Sequence, residues 1–418
     1  MKPLKVCVDA RVASDIGGIT SFVIGLASGL SNLKGGNEQY FFWTYRDAQQ
    51  WLRPYVSGAC QILPGPLSPQ QKPWRSWLKS LPIIGKAWGE LSPLIAPLLP
   101  SPPKSDGTIE AVGIDVMHFT INHMGFLTDV PSIYHPHDLH HLHLSQYFSK
   151  RSTVILENFY RTFCQQAQMV AVSSSWTKRD LLKHYGLPEH KVNVIPLPPV
   201  LAAYPIPTED DLLMTKRKFN LPDQFIFYPA HTWPHKNHLG LLQALNILRK
   251  QHNISIPFVS SGRHTVFFPT IKKRVQELQL TEQTKFLDFV SPLELQCLYK
   301  LCRAVVIPTQ FEAASFPLWE AFQAGAPTAC SNVTSLPEQA GDAALIFDPN
   351  QPKEISEAIL TLWNDEDLRQ TLIKRGKMRV GAFSWDRTAR IFRAHYRRLA
   401  LRHLTEEDRQ LLAAPPLL

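Results

Sequence analysis

Ala304-Val305-Val306-Ile307 is followed closely by Phe311-Glu312-Ala313-Ala314-Ser315-Phe316-Pro317-Leu318-Trp319-Glu320-Ala321-Phe322-Gln323-Ala324-Gly325. The first four residues are small or β-branched and read as a buried strand. Proline suits the first turn of a helix and glycine its end, so Pro317 and Gly325 bracket a helix. A strand that leads through a short loop into a helix is the repeating element of a doubly wound sheet. The same alternation runs along the chain. Short apolar runs lie at 6–8, 114–119, 132–135, 169–172 and 192–195, and again at 225–228, 254–259, 286–290, 304–307, 327–330 and 345–347. Helical patterns separate them, as at 176–185, where Leu181, Leu182 and Tyr185 repeat at helical spacing and Gly186 suits the C-terminal cap.

These runs suffice for two parallel sheets. They predict an α/β chain of two doubly wound, Rossmann-like domains facing each other across a cleft, with a ligand at the carboxyl ends of the strands. The proline-dense stretch Ile195-Pro-Leu-Pro-Pro-Val-Leu-Ala-Ala-Tyr-Pro-Ile-Pro207 suits neither a helix nor a central strand and reads as a linker. The expected division is 1–198, a linker at 199–212, a second domain at 213–385, and a C-terminal segment 386–418. That segment carries Phe392, Tyr396 and Leu399 on one helical stripe and is expected to cross back to the first domain.

With 418 residues, 44% hydrophobic and 19% charged, the chain has an ordinary globular composition. Met1 to Lys5 leads directly into an alternating run, with no signal-peptide pattern. The six scattered cysteines read as buried thiols, and a cytoplasmic location is expected. The net charge of +9 is concentrated near the C-terminus, from Arg369 through Lys374, Arg375, Lys377, Arg379, Arg387, Arg390, Arg393, Arg397 and Arg398 to Arg402. This is either a solvated helical face or an attraction to an anionic membrane surface or substrate. Nucleic acid is not expected, because no recognisable module accompanies the charge. A Pro- and Trp-rich insertion at about 63–103 contains Trp74, Trp77 and Trp88. It either packs on its own domain or touches lipid or an apolar acceptor.

The helix bracketed by Pro317 and Gly325 presents backbone N–H groups near Ser315 and Phe316, an anion-binding arrangement. Glu320 lies about one turn into the helix and leans toward its N-terminus. Glu312 precedes it in the loop. Two carboxylates therefore flank a phosphate-binding turn, where they can accept hydrogen bonds from sugar and ribose hydroxyls. The competing reading is a pair of ordinary glutamates favoured by the helix dipole.

Glu312 and Glu320, separated by seven residues, resemble the paired-glutamate motif of the large family 4 of retaining GT-B glycosyltransferases. Pro327-Thr-Ala-Cys-Ser331, the run from Ser335 to Pro349, Leu298-Tyr299 and Ser384-Trp385 are similar to that family too, in the right order, and the resemblance is strongest over 225–349. It implies transfer of a sugar from a UDP- or GDP-linked donor to a saccharide or lipid-linked acceptor, without a cofactor or metal. Carried over by position, Glu312 contacts the donor sugar, Glu320 the ribose hydroxyls and Lys236 the diphosphate. His231 stands where the family usually has arginine and gives one neutral hydrogen bond where a guanidinium gives two with charge. In the first half, Asp9-Ala-Arg11 with Gly17-Gly18-Ile19 resembles the first strand and glycine loop. Tyr134-His-Pro-His137-Asp138-Leu139 resembles the strand end that carries the active-site histidine, here His137. Its neighbours His135, His140, His141 and His143 raise a metal reading, outweighed by the side chains and helix dipole that hold diphosphate in this fold. The resemblance also admits a catalytically silent homologue, or an epimerase or phosphorylase of the same fold.

Overall fold

The computed structural model describes residues 2–12, 17–68, 102–122 and 124–417. They form two compact units. The first comprises Met1–Val172, Lys178–Ile195 and Trp385–Pro415, the second Ser173–Thr177, Pro196–Ser384 and Pro416–Leu418.

The first unit is built on seven parallel strands: β1 (Leu4–Asp9), β2 (Glu38–Thr44), β3 (Cys60–Pro64), β4 (Val116–Phe119), β5 (Ser132–Tyr134), β6 (Met169–Val172) and β7 (Val192–Val194). They lie in the order β3-β2-β1-β4-β5-β6-β7. The second has six: β8 (Ile226–Pro229), β9 (Phe258–Ser261), β10 (Thr284–Phe286), β11 (Ala304–Ile307), β12 (Thr328–Ser331) and β13 (Leu345–Phe347), in the order β10-β9-β8-β11-β12-β13. Both are doubly wound sheets. The direction in which successive strands are added reverses between β1 and β4 and between β8 and β11. At such switch points two loops diverge from adjacent strand ends and leave a crevice. In the second unit those loops carry His231 to Lys236 and Phe311 to Ser315.

The inner strands β4, β5, β6, β9, β11 and β12 are buried along their whole length, as parallel sheets covered on both faces require, while the edge strands β3, β7, β10 and β13 are only partly buried. In the second unit Leu241, Leu245 and Leu248 of the helix His238–His252 join Ile355, Ile359 and Leu362 of the helix Pro352–Asn364 in one apolar core. The run 286–290 was expected to be a strand but only its first residue is. The strand is Thr284–Phe286, and Asp288 already has a positive φ of 58°. Two strands were not anticipated: β2, which buries Tyr40, Phe42 and Trp43, and β3. The stretch 199–212 contains a single 3-10 turn at Val200–Ala203, with Leu201 in the core of the second unit, and the helix Glu209–Lys218 starts within it. Residues 69–101, most of the Pro- and Trp-rich insertion, lie outside the described residues.

The C-terminal helix Trp385–Leu399 belongs to the first unit and packs on the helix Gly18–Asn32. Gly25 and Gly29 make this possible. A Cβ on Gly25 would stand 1.9 Å from the Trp385 ring, and one on Gly29 would stand 2.5 Å from the Trp385 carbonyl oxygen. The basic run is not simply a solvated face. Arg397 pairs with Glu38 at 2.7 Å and Asp408 at 2.8 Å, and Arg390 and Arg393 both reach Glu407. Arg369 is buried against Leu362 O, Arg379 donates to Gln339 O and Glu338 O, and Arg375 donates to Asp342 O at 3.1 Å. These guanidiniums tie helix ends and loops together, and the donations to neutral carbonyls leave the positive charge in place. No helix among the described residues is long and apolar enough to cross a membrane.

Overpacking a tight helix contact costs about 1–3 kcal/mol. Gly25→Ala and Gly29→Ala are therefore each expected to lower stability by that amount in urea denaturation. Shrinking the ring with Trp385→Leu should restore stability to Gly25→Ala but not to Gly29→Ala, whose clash is with backbone.

Candidate functional site

The loop after β8 runs through the 3-10 turn Pro234–Lys236 to Asn237, which begins the helix His238–His252. Asn237 adopts a left-handed conformation, φ 58° and ψ 37°, one that asparagine tolerates better than most residues. Its side-chain amide donates to Pro308 O at 3.0 Å and to Pro349 O at 2.9 Å, while its oxygen accepts from Gly240 N at 3.2 Å. One side chain thus caps a helix and ties the loops after β8, β11 and β13. His235 O completes the junction by accepting from Gln310 N at 2.8 Å.

This junction sets Lys236 against the second loop. Its ammonium lies 2.7 Å from Glu312 Oε2, with both side chains partly exposed. The backbone around Glu312 is held in turn: its N–H donates to Thr334 Oγ at 3.0 Å, and its carbonyl accepts from Ser335 Oγ at 2.8 Å. Two residues assigned to the donor on resemblance are therefore brought into contact, on a rigid backbone. His231 lies in the same β8 loop. Its Nδ1 accepts from Arg263 N at 2.9 Å, which leaves the proton of a neutral ring on Nε2.

The helix Phe316–Ala324 starts at Ser315, whose hydroxyl accepts from Leu318 N at 3.4 Å, and it ends at Gly325 with φ 78°. The Ser315 amide is not open to an anion: it donates to Gln339 Oε1 at 2.7 Å in a fully buried contact. The expected pair of amide donors reduces to Phe316, the first helical residue, whose N–H has no acceptor within the helix. The reason is Gln339 on the neighbouring helix Leu336–Ala340, which fills the space beneath the turn.

Glu320 is 5% exposed, and Tyr299 donates a hydroxyl hydrogen bond to its Oε2 at 2.8 Å. Burial pushes its carboxyl up to about 7, against the lowering effect of that single hydrogen bond. A carboxylate buried with one donor has acceptor capacity left, which two vicinal hydroxyls would satisfy. Tyr299 and Asn237 were not assigned roles from the sequence. Both stood in it: Tyr299 in the Leu298-Tyr299 pair, Asn237 as a helix-capping residue directly after Lys236.

In the first unit, Gly17 has φ 55° and ψ −125°, a backbone conformation that essentially requires glycine, and Gly18 opens the helix Gly18–Asn32 as an exposed residue. Asp9 at the end of β1 is fully buried and pairs with Arg11 at 2.7 Å. His137 follows β5 with φ 65°. Its Nε2 donates to Thr120 O at 2.6 Å, which leaves Nδ1 as the acceptor in a neutral ring, and burial lowers its pKa. The ring stacks on His135 at 4.5 Å, and Phe22 meets both rings edge-on. Asp138 is held down to about 2: burial would raise it, but the adjoining His140 outweighs that.

Residues 210–379 match the family described as glycosyl transferases group 1, and residues 16–198 match glycosyltransferase family 4. O-antigen chain mannosyltransferase B of Escherichia coli is 28% identical over 256 residues, 60% of this chain and 66% of that protein. The serotype-specific mannosyltransferase WbdA of Escherichia coli is 31% identical over 183 residues, 42% of this chain and 22% of its own length. The chain thus spans just under two thirds of the one relative and about a fifth of the other. Among solved structures, Anabaena HepE in complex with UDP and glucose superimposes with a TM-score of 0.68 at 15% identity, covering 94% of this chain and 99% of that one. Sucrose-phosphate synthase from Thermosynechococcus elongatus gives 0.69 at 17% identity, covering 95% and 99%. Two doubly wound parallel sheets, matched over nearly the whole chain by these structures, give the chain the GT-B fold. The chain belongs to the group 1, family 4 glycosyltransferases.

Asn237→Ala removes three hydrogen bonds, two of them to buried carbonyls, and places alanine in a left-handed conformation. It is expected to destabilise the protein by about 2–4 kcal/mol. Asn237→Gly relieves only the backbone strain and should recover a minor part. Urea denaturation of the two variants against the parent protein measures this difference.

Proposed function

We propose that this protein is a retaining hexosyltransferase that moves a sugar, with mannose favoured, from a UDP- or GDP-linked donor to a saccharide or lipid-linked acceptor in polysaccharide or glycoconjugate synthesis. The observation that carries the reading is the Lys236–Glu312 contact at the switch point of the second sheet, beside a helix that holds Glu320 buried. Membership of the family and the O-antigen and mannosyltransferase names of its relatives support the reaction class and the sugar. The bound UDP and glucose of HepE, a neighbour in fold, support a nucleotide-linked donor.

In this reading the diphosphate sits between Lys236 and the N-terminus of the helix Phe316–Ala324. Developing negative charge on the leaving group meets an ammonium and a prealigned backbone dipole, and neither must reorganise during the reaction. His231, oriented by the Arg263 amide, offers its Nε2–H to a phosphate oxygen. Glu312 exchanges part of its contact with Lys236 for hydroxyls of the donor sugar, and Glu320 accepts from the ribose. From the family resemblance, Gly18 is assigned to donor binding and His137 to catalysis. Retention without a dedicated nucleophile follows from front-face attack. The acceptor oxygen bonds to the anomeric carbon as the carbon–phosphate-oxygen bond breaks, and that phosphate oxygen takes the acceptor proton.

A panel of UDP- and GDP-sugars, with product anomers assigned by NMR, tests the reading. Product of the donor's own anomeric configuration is expected, and inverted product or donor hydrolysis without acceptor dependence overturns it. With the competent donor, Glu312→Ala should lower turnover by about a hundredfold or more, close to 3 kcal/mol of transition-state stabilisation. More than a tenth of the parent rate at saturating donor would remove Glu312 from the chemistry.

The elevated pKa of Glu320 gives a pH signature. Ribose hydroxyls donate to the ionised carboxylate, so donor binding favours the form that predominates above about pH 7. Donor affinity should fall about fivefold from pH 7 to pH 6 as the carboxyl protonates. In Glu320→Gln affinity should be lower and the pH dependence flattened, as calorimetric titration will show.

A further inference from the structure

We propose that His143, Asp180 and His184 form a binding site for a zinc-class divalent cation in the first unit. One ligand atom from each residue can be chosen so that all three lie within 4.8 Å of one another. His143 Nε2 is 2.9 and 2.8 Å from the two Asp180 oxygens, and His184 Nε2 is 3.4 Å from Asp180 Oδ1. The two imidazoles meet edge-on, with centroids 5.6 Å apart.

The helix Ser175–Tyr185 supplies two of the ligands. Asp180 and His184 are four residues apart and share a helical face. Asp180 is 6% exposed, so its carboxylate is already desolvated and fixed in direction. His184 Nε2 is shielded from solvent and has no hydrogen-bond partner of proper geometry among the described residues. A buried ring nitrogen facing a carboxylate without a hydrogen bond is costly unless something lies between them. The third ligand comes from a different element, the one-turn helix His140–His143.

Two imidazoles and a carboxylate, with water in the fourth position, suit tetrahedral zinc. Bonds of about 2.1 Å place tetrahedral ligand atoms about 3.4 Å apart, the spacing His184 already has from Asp180. His143 needs only a side-chain rotation to open its shorter contact. The mixed nitrogen and oxygen set favours zinc, nickel or copper over magnesium and calcium. Both imidazoles bind through Nε2, so Nδ1 carries the ring proton. Uptake releases any proton held on Nε2 in exchange for the metal.

The cation joins a four-residue helix, too short to be stable alone, to an eleven-residue helix. The short helix directly follows the His137–Asp138 turn, with His140 Nδ1 at 2.5 Å from Asp138. The site therefore acts as a structural staple on the segment that carries His137. Of the sequence's histidine cluster, whose metal reading was outweighed there, only His143 takes part; its partners Asp180 and His184 come from a distant helix.

Calorimetric titration of zinc chloride into tag-free full-length protein, stripped with EDTA and freed of chelator, tests the proposal. One equivalent of saturable uptake is expected, together with a rise of several degrees in melting temperature. His143→Ala and His184→Ala should each weaken uptake by at least a hundredfold and abolish that rise, read for each variant against its own metal-free melting temperature. His140→Ala serves as a control that keeps binding. No saturable uptake, or uptake as tight in His143→Ala and His184→Ala as in the parent, overturns the proposal. Loss of binding only in His140→Ala overturns it as well.

Discussion

Asn237 joins three loops of the second unit with one side chain. Parallel sheets deliver loops to a switch point but do not fix how they meet; that depends on polar groups at the loop bases. Here the left-handed backbone of Asn237 turns the chain from the Lys236 turn into a helix, and its amide fastens that turn to Pro308 and Pro349. The Lys236–Glu312 contact is a consequence. Two long charged side chains at a surface gain little from pairing, so this contact is better read as the resting state of a site. Both groups are held where a diphosphate and a sugar can divide them.

Burial sets the two glutamates in different environments. Glu312 lies at the mouth of the helix, partly exposed, against a cation. Glu320 is enclosed, with one tyrosine hydroxyl as its partner, and its carboxyl is held near neutrality. An enclosed carboxyl that gains donors from a ligand converts binding into ionisation. In the proposed reading its energetic contribution comes from ribose contacts that exist equally in the bound substrate and in the transition state. A ground-state ribose contact therefore suits it better than chemistry does.

Much of this architecture was legible in the sequence, and what was not has physical causes. Strands 169–172, 304–307 and 345–347 stand in it as short apolar runs, and Pro317 and Gly325 mark their helix because proline and glycine act locally. The strand Glu38–Thr44 escaped notice although Tyr40-Phe-Phe-Trp43 is as apolar as any other. The run 286–290 misled because its apolar residues outlast the pairing, which stops at Phe286. Contacts between distant segments were out of reach. Nothing near Ser315 announces that Gln339 occupies its amide, and nothing in the arginine run announces Glu38, 359 residues from Arg397. Gly25 and Gly29 gave a partial signal, two glycines one turn apart on a helix, which only the bulk of Trp385 makes intelligible.

The account rests on Lys236 holding phosphate and Glu312 holding sugar at one junction. Calorimetric titration of a nucleoside diphosphate and of its sugar conjugate into the parent protein, Lys236→Ala and Glu312→Ala tests this most directly. Loss of Lys236 should weaken both ligands by about tenfold or more, the size of one charge-assisted contact. Loss of Glu312 should weaken only the sugar conjugate and leave the bare diphosphate as tight or tighter, since a carboxylate beside the phosphate site is gone. Equal weakening of both ligands by Glu312→Ala, or indifference of both to Lys236→Ala, would contradict it.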